Sequence, residues 1–168
     1  MKLPICSFDA KSGLLCPKCE AKLEEGEITQ DDVDASIKLT RLAERNAEIN
    51  KFTFARGIRL NGDIVLVFRG QDVNMLRGNA NLADKIQSAF GQKVWFIQSE
   101  ASDRRFVENL LYPFRVLSVN QFWLPDGNKL TKVIVSGNSV QTQVDREKIQ
   151  KIAKAVKDMD LLIEFSQE

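Results

Sequence analysis

Two stretches of this chain repeat one order of local signals, and that order constrains the fold more than any single residue. The first opens with a polar helical pattern over 29–48, where Thr29 and Asp32 have capping-box spacing. Strand signals follow over 51–60 and 63–68, rich in β-branched and aromatic residues and joined by Asn61-Gly62, a two-residue hairpin turn. A short helix is predicted over 72–77, a turn at Gly78, a helix over 82–90 closed by Gly91, and a strand from Val94. The second stretch restarts with a helix over 103–111 stopped by Pro113, strands over 115–124 and 130–135, a helix over 146–157 and a last strand from Leu161. In the last helix Ile149, Ile152, Ala153 and Val156 fall on one face. The expectation is an α+β chain with the order αββααβ written twice.

Length and composition fit that reading. A chain of 168 residues with 43% hydrophobic content can bury two small cores of about 60 to 70 residues each. No apolar run approaches a membrane span, and the opening ten residues are too short and polar for a signal peptide, so a cytoplasmic protein without a membrane partner is expected. Net charge is +1, but residues 1–50 carry −3, residues 51–120 carry +4, and the rest is neutral. The basic excess lies in the first repeat.

All three cysteines fall in the first 19 residues, and Cys16-Pro17-Lys18-Cys19 has the spacing of a metal-binding knuckle. Cys6-Ser7-Phe8-Asp9 repeats that spacing with a carboxylate in the fourth place. Cys6, Asp9, Cys16 and Cys19 thus form a Cys3Asp ligand set for one tetrahedral Zn²⁺, structural because four protein ligands leave no open position. Iron suits the same set; a disulfide would leave one cysteine over, and a redox CxxC normally opens a βαβ unit. A ribbon of this size depends on its metal for folding. Leu23, Ile28, Val33 and Ile37 are the apolar residues available to dock it on the first helix.

The double αββααβ order, the segment LRGNANLADKIQSAFGQKVWFI and the linking segment SDRRFVENLLYPFRV together resemble tandem type II KH domains, as in archaeal NusA-like transcription factors. The N-terminal knuckle pair is similar to that of some archaeal members. The resemblance covers about residues 29–168. It implies a zinc ribbon or knuckle over 1–26, a first KH domain over 27–100 and a second, degenerate one over 101–168. It also implies an accessory factor of transcription elongation or termination that binds single-stranded RNA.

In KH folds a GxxG loop between two helices presses on the sugar-phosphate backbone. Here the matching residues are Arg77, Gly78, Asn79, Ala80 and Asn81, with only one glycine, followed by Lys85 on the next helix. Arg69, Arg104 and Arg105 are further basic residues that would widen the contact. The equivalent stretch of the second repeat, 140–147, has no glycine, which makes that copy structural. Phe52, Phe54, Trp95, Phe96 and Trp123 are either base-stacking aromatics or strand residues facing a core.

The chain has no histidine, no Walker loop and no GxGxxG after a strand, so neither an enzyme nor a small-molecule substrate is expected. The rival to RNA binding is a protein-interaction module that docks on RNA polymerase or the ribosome.

Overall fold

A computed structural model of the chain describes residues 1–69, 71–112, 114–137 and 146–166. Pro113, the expected helix stop, and residues 140–145 of the glycine-free stretch lie outside that set. The fold is α+β, with two three-stranded sheets and seven helices among the described residues. The chain divides into two compact units, 1–100 and 101–168.

The first unit begins with two short helices, α1 (Ser7–Ser12) and α2 (Pro17–Glu25), each ended by a glycine in the left-handed conformation, Gly13 and Gly26. No β-ribbon forms around the cysteines: the two three-residue spacings lie on helix starts, because Cys6 and Cys16 sit extended at the N-caps and Pro17 occupies the first helical position of α2. The helix α3 (Gln30–Arg45) starts from a full capping box. Asp32 N–H donates to Thr29 Oγ1 at 3.2 Å, and Thr29 N–H donates to Asp32 Oδ2 at 2.9 Å.

A 3-10 turn over Ala47–Lys51 separates α3 from β1 (Phe54–Leu60). The predicted strand over 51–60 therefore starts late, since the turn buries Ile49 completely. Antiparallel β2 (Asp63–Phe68) follows through Asn61 and Gly62, both at positive φ, as a twist-matched two-residue hairpin requires. Next come α4 (Asp72–Arg77), α5 (Ala80–Phe90) and β3 (Val94–Gln98), the last pairing parallel to β2. Strand order is β1-β2-β3.

The main core of this unit joins Leu39 of α3, Phe52, Phe54, Ile64, Leu66 and Phe68 of the sheet side, and Leu76, Leu82 and Ile86 of α4 and α5. Phe68 makes ring contacts with Phe52, Phe54 and Phe96. Phe52 and Phe54 are thus core residues rather than base platforms. A second cluster joins Ile5, Ala10 and Cys19 to Ile28 and Val33, with Leu23 and Ile37 against it. The four residues expected to dock the N-terminal segment all take part.

Two N–H groups of β1, the outer strand, are occupied by the first turn of α3: Gly57 donates to Asp32 Oδ1 at 2.7 Å and Arg59 to Asp31 Oδ2 at 3.1 Å. Gly57 is required by close approach. A Cβ there would lie 3.1 Å from both the Asp31 carbonyl oxygen and Ala35 Cβ.

The second unit contains α6 (Asp103–Leu111), β4 (Val116–Trp123), β5 (Lys129–Ser136), α7 (Arg146–Lys157) and β6 (Asp160–Ser166). Its sheet repeats the first in order, β4-β5-β6, and in polarity, antiparallel then parallel. The first strand of each sheet carries an irregularity near its start, at Phe54/Arg56 and at Val116/Ser118. Ile149, Ile152 and Ala153 are buried as the helical spacing implies. On the helix side, Asp103 accepts from Lys157 Nζ at 3.2 Å and from Gln121 Nε2 at 2.7 Å.

Candidate functional site

The four N-terminal ligand candidates converge. Their donor atoms, the sulfurs of Cys6, Cys16 and Cys19 and a carboxylate oxygen of Asp9, all lie within 4.8 Å of one another. The local cause is the CxxD/CxxC spacing on two helix starts. Cys6 and Cys16 are the N-caps, and Asp9 and Cys19 stand three residues on, where a side chain turns back toward its helix N-terminus.

The two helices cap each other crosswise. Cys16 N–H, the N-cap amide of α2, donates to Asp9 Oδ2 of α1 at 2.9 Å. Cys6 N–H, the N-cap amide of α1, donates to Cys19 Sγ of α2 at 3.5 Å. Asp9 and Cys19 are buried at 1% and 3% exposure, Cys16 is half-buried and Cys6 exposed. The cluster is therefore rooted in the core at one end and open at the other.

Electrostatics separate the two buried members. The Cys16 amide, followed by the thiol of Cys19, holds the Asp9 carboxyl well below the usual carboxylate range. Burial pushes the Cys19 thiol up to about 12, against the opposing pull of the Cys6 amide. A carboxylate is thus ready as a ligand, whereas Cys19 must surrender a proton to any metal it binds. Three sulfurs and one oxygen on this scale form a donor set that a divalent ion such as zinc accepts.

The residues expected to meet RNA gather at the α4–α5 junction. The connection is shorter than expected: Arg77 is the last residue of α4, Ala80 the first of α5, and only Gly78 and Asn79 lie between. Asn79 caps α5, its Oδ1 accepting from Leu82 N–H at 3.1 Å. That explains why the helix starts at Ala80 instead of Leu82, and places Ala80 and Asn81 in its first turn. Gly78, Ala80, Asn81 and Lys85 are exposed. Arg77 is half-buried and donates from Nη2 to the Phe96 carbonyl of β3 at 3.5 Å.

Beside the junction lies a groove of about 280 Å³ whose polar lining is Arg45, Asn46, Glu48, Asn79, Asn81 and Lys85. Lys85 Nζ donates to Asn46 Oδ1 at 3.0 Å, and Asn79 Nδ2 donates to Glu48 Oε2 at 3.4 Å. Sequence reasoning missed Arg45, Asn46 and Glu48, which lie thirty or more residues before the junction; the helical pattern over 29–48 hides the turn that presents them.

The described lining of this groove includes none of the other basic and aromatic candidates. Arg69 is exposed, and Arg104 and Arg105 pair with Glu108 on α6. Trp95 donates from Nε1 to Asp63 Oδ2 at 3.1 Å and carries Lys93 over its ring. Trp123 is 74% exposed beside Phe122 and Leu124 at the end of β4. No described helix is long and apolar enough to cross a membrane.

No protein-family model matches the sequence, and no curated protein matches it. Among solved structures, the crystal structure of APE1850 is similar at 15% identity with a TM-score of 0.48, over 74% of this chain and 96% of that one.

Proposed function

We propose that this chain is an RNA-binding accessory factor of transcription, related to the NusA-like proteins, that grips single-stranded RNA through its first unit and carries a structural zinc. The observation that supports it most is the two-residue junction at Gly78-Asn79, with Gly78 exposed and Asn79 half-buried, between two helices of a unit ordered helix, two antiparallel strands, helix pair, parallel strand. That order is the one a type II KH domain has, and the second sheet repeats its pairing. A short, glycine-containing junction lets a sugar-phosphate backbone approach main-chain amides closely, with Arg77, Asn81 and Lys85 at hand for phosphates.

The zinc reading rests on the Cys6, Asp9, Cys16 and Cys19 cluster. Ligand atoms around a tetrahedral zinc stand about 3.8 Å apart, given zinc–sulfur bonds of about 2.3 Å. A small contraction of the observed cluster therefore closes a site. Zinc supplies the positive charge that lets these acidic donors crowd together, while two helix N-termini stabilise the thiolates.

Titration of short single-stranded RNAs at several salt concentrations tests the RNA reading. The logarithm of affinity should fall with the logarithm of salt at roughly −0.7 per phosphate contacted, and Arg77→Ala should flatten that slope. Binding no tighter than that of a charge-matched control protein would overturn it. A second reading, a module docking on RNA polymerase or the ribosome, draws on the exposed Phe122, Trp123 and Leu124. Co-purification lost on Trp123→Ala, without any RNA affinity, would favour that reading.

A further inference from the structure

We propose that the groove between the end of α3 and the start of α5 reads a single guanine base of the bound strand. The proposal rests on the RNA-binding reading above and goes beyond it by naming the base and the two side chains that select it.

The argument starts from the orientation of Asn79. Its Oδ1 is committed to the Leu82 N–H at the start of α5, so the Nδ2 end of the amide must face away from the helix. That Nδ2 points at Glu48, whose Oε2 lies 3.4 Å away. The groove wall therefore presents a fixed amide donor directly beside a carboxylate acceptor. The contact between them is long and opens at little cost.

Guanine is the base complementary to that pair. Along its Watson–Crick edge it offers the O6 acceptor, then two adjacent donors, N1–H and N2–H. Asn79 Nδ2 can donate to O6 while the two Glu48 oxygens accept from N1–H and N2–H. Adenine and cytosine turn an amino donor toward Asn79 and a ring-nitrogen acceptor toward Glu48, so both positions clash. Uracil sets its O2 against the carboxylate. Direct readout of this kind works on unstacked bases of single strands.

The surroundings fit one nucleotide. A volume of about 280 Å³ falls just short of the range of about 300–1,000 Å³ that drug-sized ligands occupy. Arg45 and Lys85, both exposed, flank the groove as cations for the adjoining phosphates. Asn79 follows Gly78 directly, so the groove adjoins the junction.

Fluorescence anisotropy with hexaadenylate and with six variants carrying one guanosine at successive positions tests the proposal. Guanosine in one register should tighten binding about tenfold. Glu48→Gln should abolish that preference, so that all seven oligonucleotides bind the variant alike, with an unaltered melting temperature. Equal affinity for all seven oligonucleotides, or a guanosine preference that survives Glu48→Gln, overturns the guanine subsite alone. No binding to any of them overturns the RNA reading and the subsite with it.

Discussion

The main-chain N–H of Cys16 donates to Oδ2 of Asp9 at 2.9 Å, so a carboxylate from one helix start caps the other. The sulfur of Cys19 does the same for Cys6. Repeating a three-residue spacing on two facing helix starts thus has two effects at once. It gathers four metal-binding atoms, and it satisfies one free amide of each helix.

If Asp9 is the fourth ligand, Asp9→Asn should keep the hydrogen bond from Cys16 but lower zinc affinity at least tenfold, whereas Asp9→Cys should raise it. Competition with a chromogenic chelator measures both. Freshly reduced wild-type protein should contain about one zinc per chain, lost in Cys16→Ser; identical zinc content in the two would defeat the assignment.

The metal-free protein should be squeezed from both ends of the pH scale. Asp9 has a folded-state value below its unfolded one, so its contribution is present above about pH 4 and lost on acidification through the folded value. Cys19 is raised to about 12, so its contribution is complete below about pH 9 and lost as pH climbs from there. Thermal melts in the presence of a chelator from pH 3 to 10.5 should trace this plateau. In Cys19→Ala the alkaline fall should be reduced.

In the second unit, Lys157, through its hydrogen bond, holds Asp103 below the ordinary carboxylate range, helped by Gln121 and Lys129. The depressed value means that this contribution exists above about pH 4 and fades as acid protonates the group. Because the Asp103 side chain is 38% exposed, solvent screening limits the loss in Asp103→Asn to about 1 kcal/mol at neutral pH. Urea denaturation followed by far-ultraviolet circular dichroism reads it, and the difference from wild type should shrink as pH falls below about 4.

Gly57→Ala should destabilise the first unit by about 1–3 kcal/mol. The added Cβ meets the Asp31 carbonyl at 3.1 Å, and the capping box holds that turn of α3 in place. A shift in the urea midpoint without a change in slope checks this. An unchanged midpoint would mean that α3 yields more easily than its hydrogen bonds imply.

Features written in local chemistry were legible in the sequence. Asn61-Gly62 named its turn, Thr29 and Asp32 named their capping box, and the paired CxxC-type spacings named the cluster. Less legible was whatever depended on partners distant in the chain. The segment before Phe54 has strand-forming residues, yet burial of Ile49 coils it into a 3-10 turn. Ser7–Ser12 has no helical periodicity to read, because six residues span less than two turns and the helix is set by capping between α1 and α2. Asn79 falls in the loop that the sequence predicts, whereas its side chain starts a helix. Nothing local marks the groove beside it, because Glu48 and Asn79 are brought together only by the tertiary fold.

The carboxylates lying against Gly57 and Arg59 also settle how far the first sheet can grow. A foreign strand arriving on that flank would find those two amides spent and the first turn of α3 in its path. Molecules of this protein are thereby discouraged from zipping together along β1, and the sheet keeps to three strands on that side without a proline or a further helix to close it.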